Sequence, residues 1–265
     1  MPNKTSIEWT DCSWNPIRAR DPETGKIGWY CEHRSDGCTN CYSEVLNHRF
    51  GTGIDFARQN RDRVELFLDE KRLREKWPAG SMVFVCDMTD LFGEFMQDEW
   101  IDRIFAVIAE HPSVIFQILT KRPERMLPYL SARPVLRNVW AGVSVENRRE
   151  LWRLDQLRQT RAAVRFVSFE PLLRDLGDID LRGIDWAITG AESGHNARPM
   201  SFDWVRTLRD QCIAAGVPFF FKQAATANGR KIPLPMLDGR QWREFPRIVD
   251  LAATPAARSQ LDLFV

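Results

Sequence analysis

The sequence predicts an α/β fold, a partial (β/α) barrel with about six or seven parallel strands. Three observations carry this reading. From residue 80 onward, short runs rich in β-branched and aromatic residues alternate with amphipathic segments of helical length. The runs are apolar almost throughout, as strands covered on both faces require. The connections are short, so successive strand–helix–strand units are expected to be right-handed and parallel.

A first strand is expected at "TSIEWT" (5–10), followed by the cysteine-bearing segment "GWYCEHRSDGCTNCYSE" (28–44). Residues 51–80, with the arginine-rich "GTGIDFARQNRDRVELF", read as an excursion before the second strand. Further strands are expected at "MVFVCDM" (82–88), "VIFQILT" (114–120), "NVWAGVSV" (138–145), "VRFVSFE" (164–170), "WAITGAES" (186–193) and "VPFFFKQ" (217–223). Between them, "QDEWIDRIFAVIAEH" carries Trp100, Ile101, Ile104, Phe105 and Ile108 on one stripe. "ENRRELWRLDQLRQT" spaces Leu151, Leu154 and Leu157 for a helix, and "KRPERMLPYL" starts one at Pro123. "SFDWVRTLRDQCIAAG" has a Ser-x-Asp start and a glycine stop at Gly216. A doubly wound open sheet is the alternative, because periodicity does not show closure. The expected organisation is one domain over 1–223, with the cysteine loop at 28–44. An irregular extension with loop, short strand and tail then covers 224–265.

The 265 residues carry 37 basic and 36 acidic side chains, a net charge of +1, so no global field argues for nucleic acid. The clusters Arg18/Arg20, Arg58/Arg61/Arg63 and Arg148/Arg149 read as solvated faces. No apolar stretch reads as a signal peptide or approaches the length of a membrane span. A cytoplasmic, reducing location is expected, with no membrane partner, and there clustered thiols bind metal more often than they form disulfides.

Polar residues cluster where the expected strands end: Asp87 and Asp90, Lys121 and Arg122, Ser144 and Glu146, Ser168 and Glu170, Glu192, and Lys222 with Gln223. Some suit helix caps, as Asn147 and Asp98 do. Convergence of the rest on one barrel mouth points to an active site. Lys121, Glu170 and Lys222 are the candidate catalytic residues, and Ser144, Glu146, Ser168 and Glu192 the candidate cofactor-binding ones. His195 and Arg198 could also meet a substrate. Trp9, Trp14, Trp29 and Tyr30 could stack on a base, packing under a long loop being the simpler reading.

Cys31, Cys38 and Cys41 have the spacing C-x6-C-x2-C. They suit a structural zinc with a fourth ligand from His33, His48 or Cys12. They equally suit a [4Fe-4S] cluster held by three thiolates with one iron open. Cys86 and Cys212 read as buried small hydrophobes.

The triplet after the first strand of a parallel barrel resembles that of the radical S-adenosylmethionine (radical SAM) enzymes, whose usual spacing is C-x3-C-x2-C. The strings "IEWTDCSWNPI", "SDGCTNCYSE", "LTKRPERM", "VWAGVSVEN", "VSFEPLL", "AITGAESG" with "ARPM", and "GVPFFFKQ" together resemble the three-Cys-motif family of phage proteins, of unknown function. That resemblance implies a radical-SAM-like fold in which Cys31, Cys38 and Cys41 hold a [4Fe-4S] cluster. It implies S-adenosylmethionine as cofactor and a 5′-deoxyadenosyl radical that abstracts hydrogen from a small molecule, nucleobase, nucleotide or nucleic acid. A reductant such as flavodoxin or ferredoxin would be the partner. Two other classes stand beside it: a zinc-stabilised barrel enzyme of hydrolytic or transfer type, and a non-catalytic nucleic-acid-binding or phage-interaction protein.

Overall fold

The computed structural model describes residues 4–192, 194 and 196–247. In chain order its strands are β1 (Cys12–Trp14), β2 (Ile17–Arg20), β3 (Ile27–Gly28), β4 (Glu65–Leu68), β5 (Met82–Val85), β6 (Ile115–Thr120), β7 (Val139–Ser144), β8 (Val164–Phe169), β9 (Trp186–Gly190), β10 (Phe219–Ala225), β11 (Lys231–Pro233), β12 (Met236–Leu237) and β13 (Arg240–Gln241). The helices are α1 (Tyr42–Phe50), α2 (Glu70–Leu73), α3 (Asp98–Glu110), α4 (Pro123–Ser131), α5 (Trp152–Gln159) and α6 (Phe202–Ala215).

The main sheet runs β1-β5-β6-β7-β8-β9-β10-β11, and its edge strands β1 and β11 are not joined. Every pairing from β1 to β10 is parallel, and β11 adds antiparallel to β10. This is the partial barrel of parallel strands that the alternating pattern predicted. The segment 224–247, read as loop and short strand, supplies β11 and the β12–β13 hairpin. The tail beyond Arg247 lies outside the described residues.

Two boundaries differ from expectation. The first strand is Cys12–Trp14, not residues 5–10; just before that range Lys4 makes an isolated bridge to Cys12. Trp9 explains the shift: it turns in to seal the floor of the barrel, its ring tilted against Phe84 with centroids 4.7 Å apart. The second strand stops at Val85, because Cys86 takes a left-handed φ of 59° that L-residues rarely adopt. Cys86 is thus buried in a turn rather than inside a strand.

Period-two alternation sorts the strand side chains. Val83, Val85, Phe116, Ile118, Val139, Ala141, Val143, Val167, Phe219 and Phe221 join the large core that contains the helices' apolar residues. Phe84, Ile115, Trp140, Val164, Phe166, Trp186, Ile188 and Phe220 form a second cluster with Trp9, filling the lumen. Trp186 is its hub, with ring contacts to Trp9, Trp140, Phe166, Phe220 and Phe245. Gly142 makes room for this floor, since a Cβ there would lie 2.5 Å from the buried Phe166 ring. Gly142→Ala is therefore expected to destabilise the protein by about 1–3 kcal/mol through overpacking, read by urea denaturation. An unchanged midpoint would show that the floor repacks freely.

The helices close as their sequences require. Ser201 caps α6 by accepting from Asp203 N, and Gly216 ends it at φ 67°. Asn147 caps the 3-10 turn before α5. Asp98 sits inside the first turn of α3 rather than at its cap, and pairs with Arg125 at 2.5 Å.

Candidate active site at the barrel mouth

The inward rows that begin as lumen aromatics end as polar groups. Leu119 leads to Lys121, Phe166 to Ser168 and Glu170, Ile188 to Gly190 and Glu192, and Phe220 to Lys222. Continuing a period of two past each strand keeps these side chains on the lumen side, at the carboxyl ends.

The connection from β1 to β5 covers this mouth. Its small antiparallel sheet, β3-β2-β4, did not emerge from the sequence; the arginine-rich excursion supplies only β4, after a 3-10 turn over Arg58–Arg63. From its edge the chain enters the cysteine loop. One end of that loop is fixed by the buried Arg122, which pairs with Asp90 at 3.1 Å and Glu94 at 2.8 Å and donates to Glu32 O. Asp90 also accepts from Thr120 Oγ1 and Lys121 N, and Thr89 Oγ1 donates to Tyr30 O. The middle is fixed by Glu146, which accepts from Ser35 Oγ and Gly37 N. Beyond it, Asn40 donates to Glu192, and Arg198 bridges Glu192 and Asp36 O.

Cys31, Cys38 and Cys41 are free and half-buried. Arg34 N donates toward Cys38 Sγ at 3.4 Å, and Cys41 Sγ lies 3.0 Å from Ser43 Oγ. Cys41 is the N-cap of α1, an end of a helix that favours negative charge. Burial pushes the Cys31 thiol well up from its ordinary value, so its thiolate needs a cation or metal nearby. The three sulfurs do not all fall within 4.8 Å of one another; among the described residues only the half-buried Glu44 with the exposed His48 and Asp55 makes such a group. Three thiolates on one tetrahedral zinc would lie about 3.8 Å apart. The other candidate zinc ligands are engaged elsewhere: His33 with Glu44, His48 with Asp55, and Cys12 in the core.

The loop and the strand ends enclose a cavity of about 400 Å³. It is lined by Cys31, Cys38, Cys41, Lys121, Ser144, Ser168, Glu170, Glu192 and Lys222. Lys222 Nζ lies 3.1 Å from Glu170 Oε2, while Glu170 Oε1 is buried with no hydrogen-bond partner. Gly190 leaves that oxygen its place, since a Cβ there would come within 2.4 Å of it. Burial works against the charge of Lys121, but the field of Cys38, Glu146 and Cys41 outweighs it and holds the ammonium above its ordinary value. Burial raises the carboxyl of Asp87, another lining residue.

Glu146 stands apart from the cavity wall. It is fully buried, paired with Arg153 at 3.0 Å, and its other contacts hold the cysteine loop. Glu192 does line the cavity, but hydrogen bonds from Arg198 and Asn40 engage its carboxylate. Burial alone would raise that carboxyl, and these bonds outweigh it and hold it below its usual range. Arg198 is accordingly a loop clamp in this structure, and His195 lies outside the described residues. Ser35, Asn40 and Ser43 are loop anchors that sequence reasoning missed. Their only signal was the density of hydrogen-bonding side chains around the thiols.

Among the described residues, no helix is long and apolar enough to cross a membrane. Among solved structures, the chain is similar to a point mutant of spore photoproduct lyase, at 10% identity and a TM-score of 0.42, over 87% of this chain and 70% of that one. A likeness at that level carries no functional meaning. No curated protein matches the sequence. One family profile, described as protein of unknown function (DUF5131), matches residues 4–246, nearly the full length. The chain belongs to that family.

Proposed function

We propose that this protein is an iron–sulfur enzyme of radical SAM type. One observation carries the reading: three half-buried thiols line the same cavity as the charged ends of four parallel strands. The donor set fits a [4Fe-4S] cluster. It is all sulfur, and its three atoms do not all fall within 4.8 Å of one another, wider than the roughly 3.8 Å spacing of thiolates on one zinc ion. When bound, such a cluster with S-adenosylmethionine supplies one-electron reductive cleavage and hydrogen abstraction.

The chain's own residues would position and shield. Cys31, Cys38 and Cys41 hold the metal, and the Lys121 ammonium offsets thiolate charge in a site where water cannot. Ser144 and Ser168 offer hydroxyls to the nucleoside side of the cofactor. Glu170 and Lys222 place an acceptor beside a donor, above the apolar wall made by Trp9, Phe84 and Leu119. That pairing suits a planar substrate with adjacent N–H and C=O groups, as a nucleobase has. A low-potential one-electron donor such as flavodoxin or ferredoxin would be required.

Anaerobic purification tests the reading. A brown protein containing iron and sulfide, which under strong reductant converts S-adenosylmethionine to methionine and 5′-deoxyadenosine, is the expected result. A colourless protein with stoichiometric zinc would sink it. Iron without cleavage would leave an iron–sulfur protein of another kind.

A further inference from the structure

The three-stranded sheet β3-β2-β4 has one face in the core and one in solvent, and its register decides what each face carries. Ile17, Ala19 and Leu66 are buried on the inner face. Arg18 lies opposite Phe67, and Arg20 lies opposite both Ile27 and Glu65. Directly paired residues share a face, so all five side chains point outward. Trp29, two residues past Ile27, continues the same outer row.

These outward side chains are arranged as stacks. The Arg18 guanidinium sits 4.6 Å from the centre of the Trp29 ring, and that of Arg20 sits 5.0 Å from the centre of Phe67. Ile27 is 45% exposed beside them. The Trp29 indole N–H is turned inward, buried and without a hydrogen-bond partner, while Trp29 N donates to Asn47 Oδ1 of α1 at 2.9 Å. At the far end of α1 a third such pair occurs, Arg49 lying 4.7 Å from the centre of the ring of Phe50, which is 63% exposed. Trp9, Trp14 and Tyr30, the other aromatics near the cysteine segment, are fully buried in the core. Of the four, Trp29 is the one that is only partly buried.

We propose that this face is a stacking platform for single-stranded nucleic acid, with bases on Trp29 and Phe67 and phosphates at Arg18 and Arg20. An aromatic ring covered by a guanidinium is the arrangement onto which a base can stack while the cation turns to the backbone. Glu65 on this face pairs with Arg20 at 3.0 Å, but both are exposed and such a pair exchanges readily. An open sheet reads unstacked bases, whereas a duplex hides their faces, so the single strand is the occupant. Strand β3 leads through Trp29 and Tyr30 straight to Cys31, which places the platform beside the cysteine-lined mouth. The inference goes beyond the iron–sulfur reading and stands on the sheet face alone.

Fluorescence anisotropy with a labelled oligothymidylate tests it on the full chain. Binding should weaken with salt, with a log–log slope of about −0.7 per phosphate neutralised. Trp29→Ala and Phe67→Ala should each lose affinity about tenfold or more, while Trp29→Phe, which keeps a ring, should lose much less. Arg18→Gln with Arg20→Gln should flatten the salt slope by about one contact or more. Thermal melting of each variant separates lost binding from lost folding. Three results would each overturn the proposal: no binding at low salt, preference for a duplex of the same length, or weakening by the arginine variants with none by Trp29→Ala or Phe67→Ala. The last would mean adsorption to charge without stacking. None of these depends on iron, so a colourless protein that binds oligothymidylate through Trp29 would retire the cluster reading and keep this one.

Discussion

Cys38→Ala is expected to abolish iron binding in protein purified anaerobically, and Cys31→Ala and Cys41→Ala should do the same. Losing an outer-shell partner of a metal site typically costs about 10- to 100-fold in affinity, and losing a ligand costs more. Here no replacement is at hand. His33 and His48 are paired with carboxylates, and Cys12 is buried in β1. The comparison that gives the result meaning is Cys212→Ala, on α6 in the core, where burial pushes the thiol up to about 12 and no metal is expected. Iron and sulfide analysis with electron paramagnetic resonance reads the outcome. Iron retained in all three alanine variants would show that the triplet only staples the loop.

Arg153→Met is expected to destabilise the fold by about 3–5 kcal/mol, because it leaves the Glu146 carboxylate buried without its counter-charge. Both side chains are essentially inaccessible, at 1% and 0% exposure, and Arg153 also pairs with Glu150 and donates to Ser144 O. The same change should loosen the cysteine loop, since Glu146 holds Ser35 and Gly37 in place. Pairing Arg153→Met with Glu146→Gln should recover part of the loss, because removing both charges takes away the desolvation penalty. Urea denaturation at neutral pH measures it. A loss under about 1 kcal/mol for Arg153→Met would mean that water reaches Glu146 and the loop is held by other contacts.

These two expectations divide the candidate residues into groups that face the cavity and groups that build it. Along the strands that division was legible in the sequence: inward positions alternate from aromatic floor to polar rim, and Ser168, Glu170 and Lys222 follow that rhythm. Glu146 follows the same rhythm but is claimed by Arg153, seven residues on in the first turn of α5. Spacing along a chain cannot show which of two carboxylates, Glu146 or Glu170, meets a buried arginine and which meets a lysine on the cavity wall. The first strand was misplaced for a related reason. "TSIEWT" has strand-like composition, but Trp9 gains more by plugging the lumen than by extending the sheet.

By itself the sequence determined the class of fold, the order of the parallel strands and helices from residue 80 to 223, and the set of thiols. All of these follow from local periodicity and from residue types whose chemistry is the same in any context. Tertiary structure alone decided that the three sulfurs and the charged strand ends share one cavity, that Glu146 and Arg198 serve the loop, and that Arg18, Arg20, Trp29 and Phe67 share an open face. Those facts depend on register and on contacts between residues far apart in the chain, such as Asn40 with Glu192 and Ser35 with Glu146. Burial by distant partners sets which polar groups remain available for chemistry, and no local pattern encodes it.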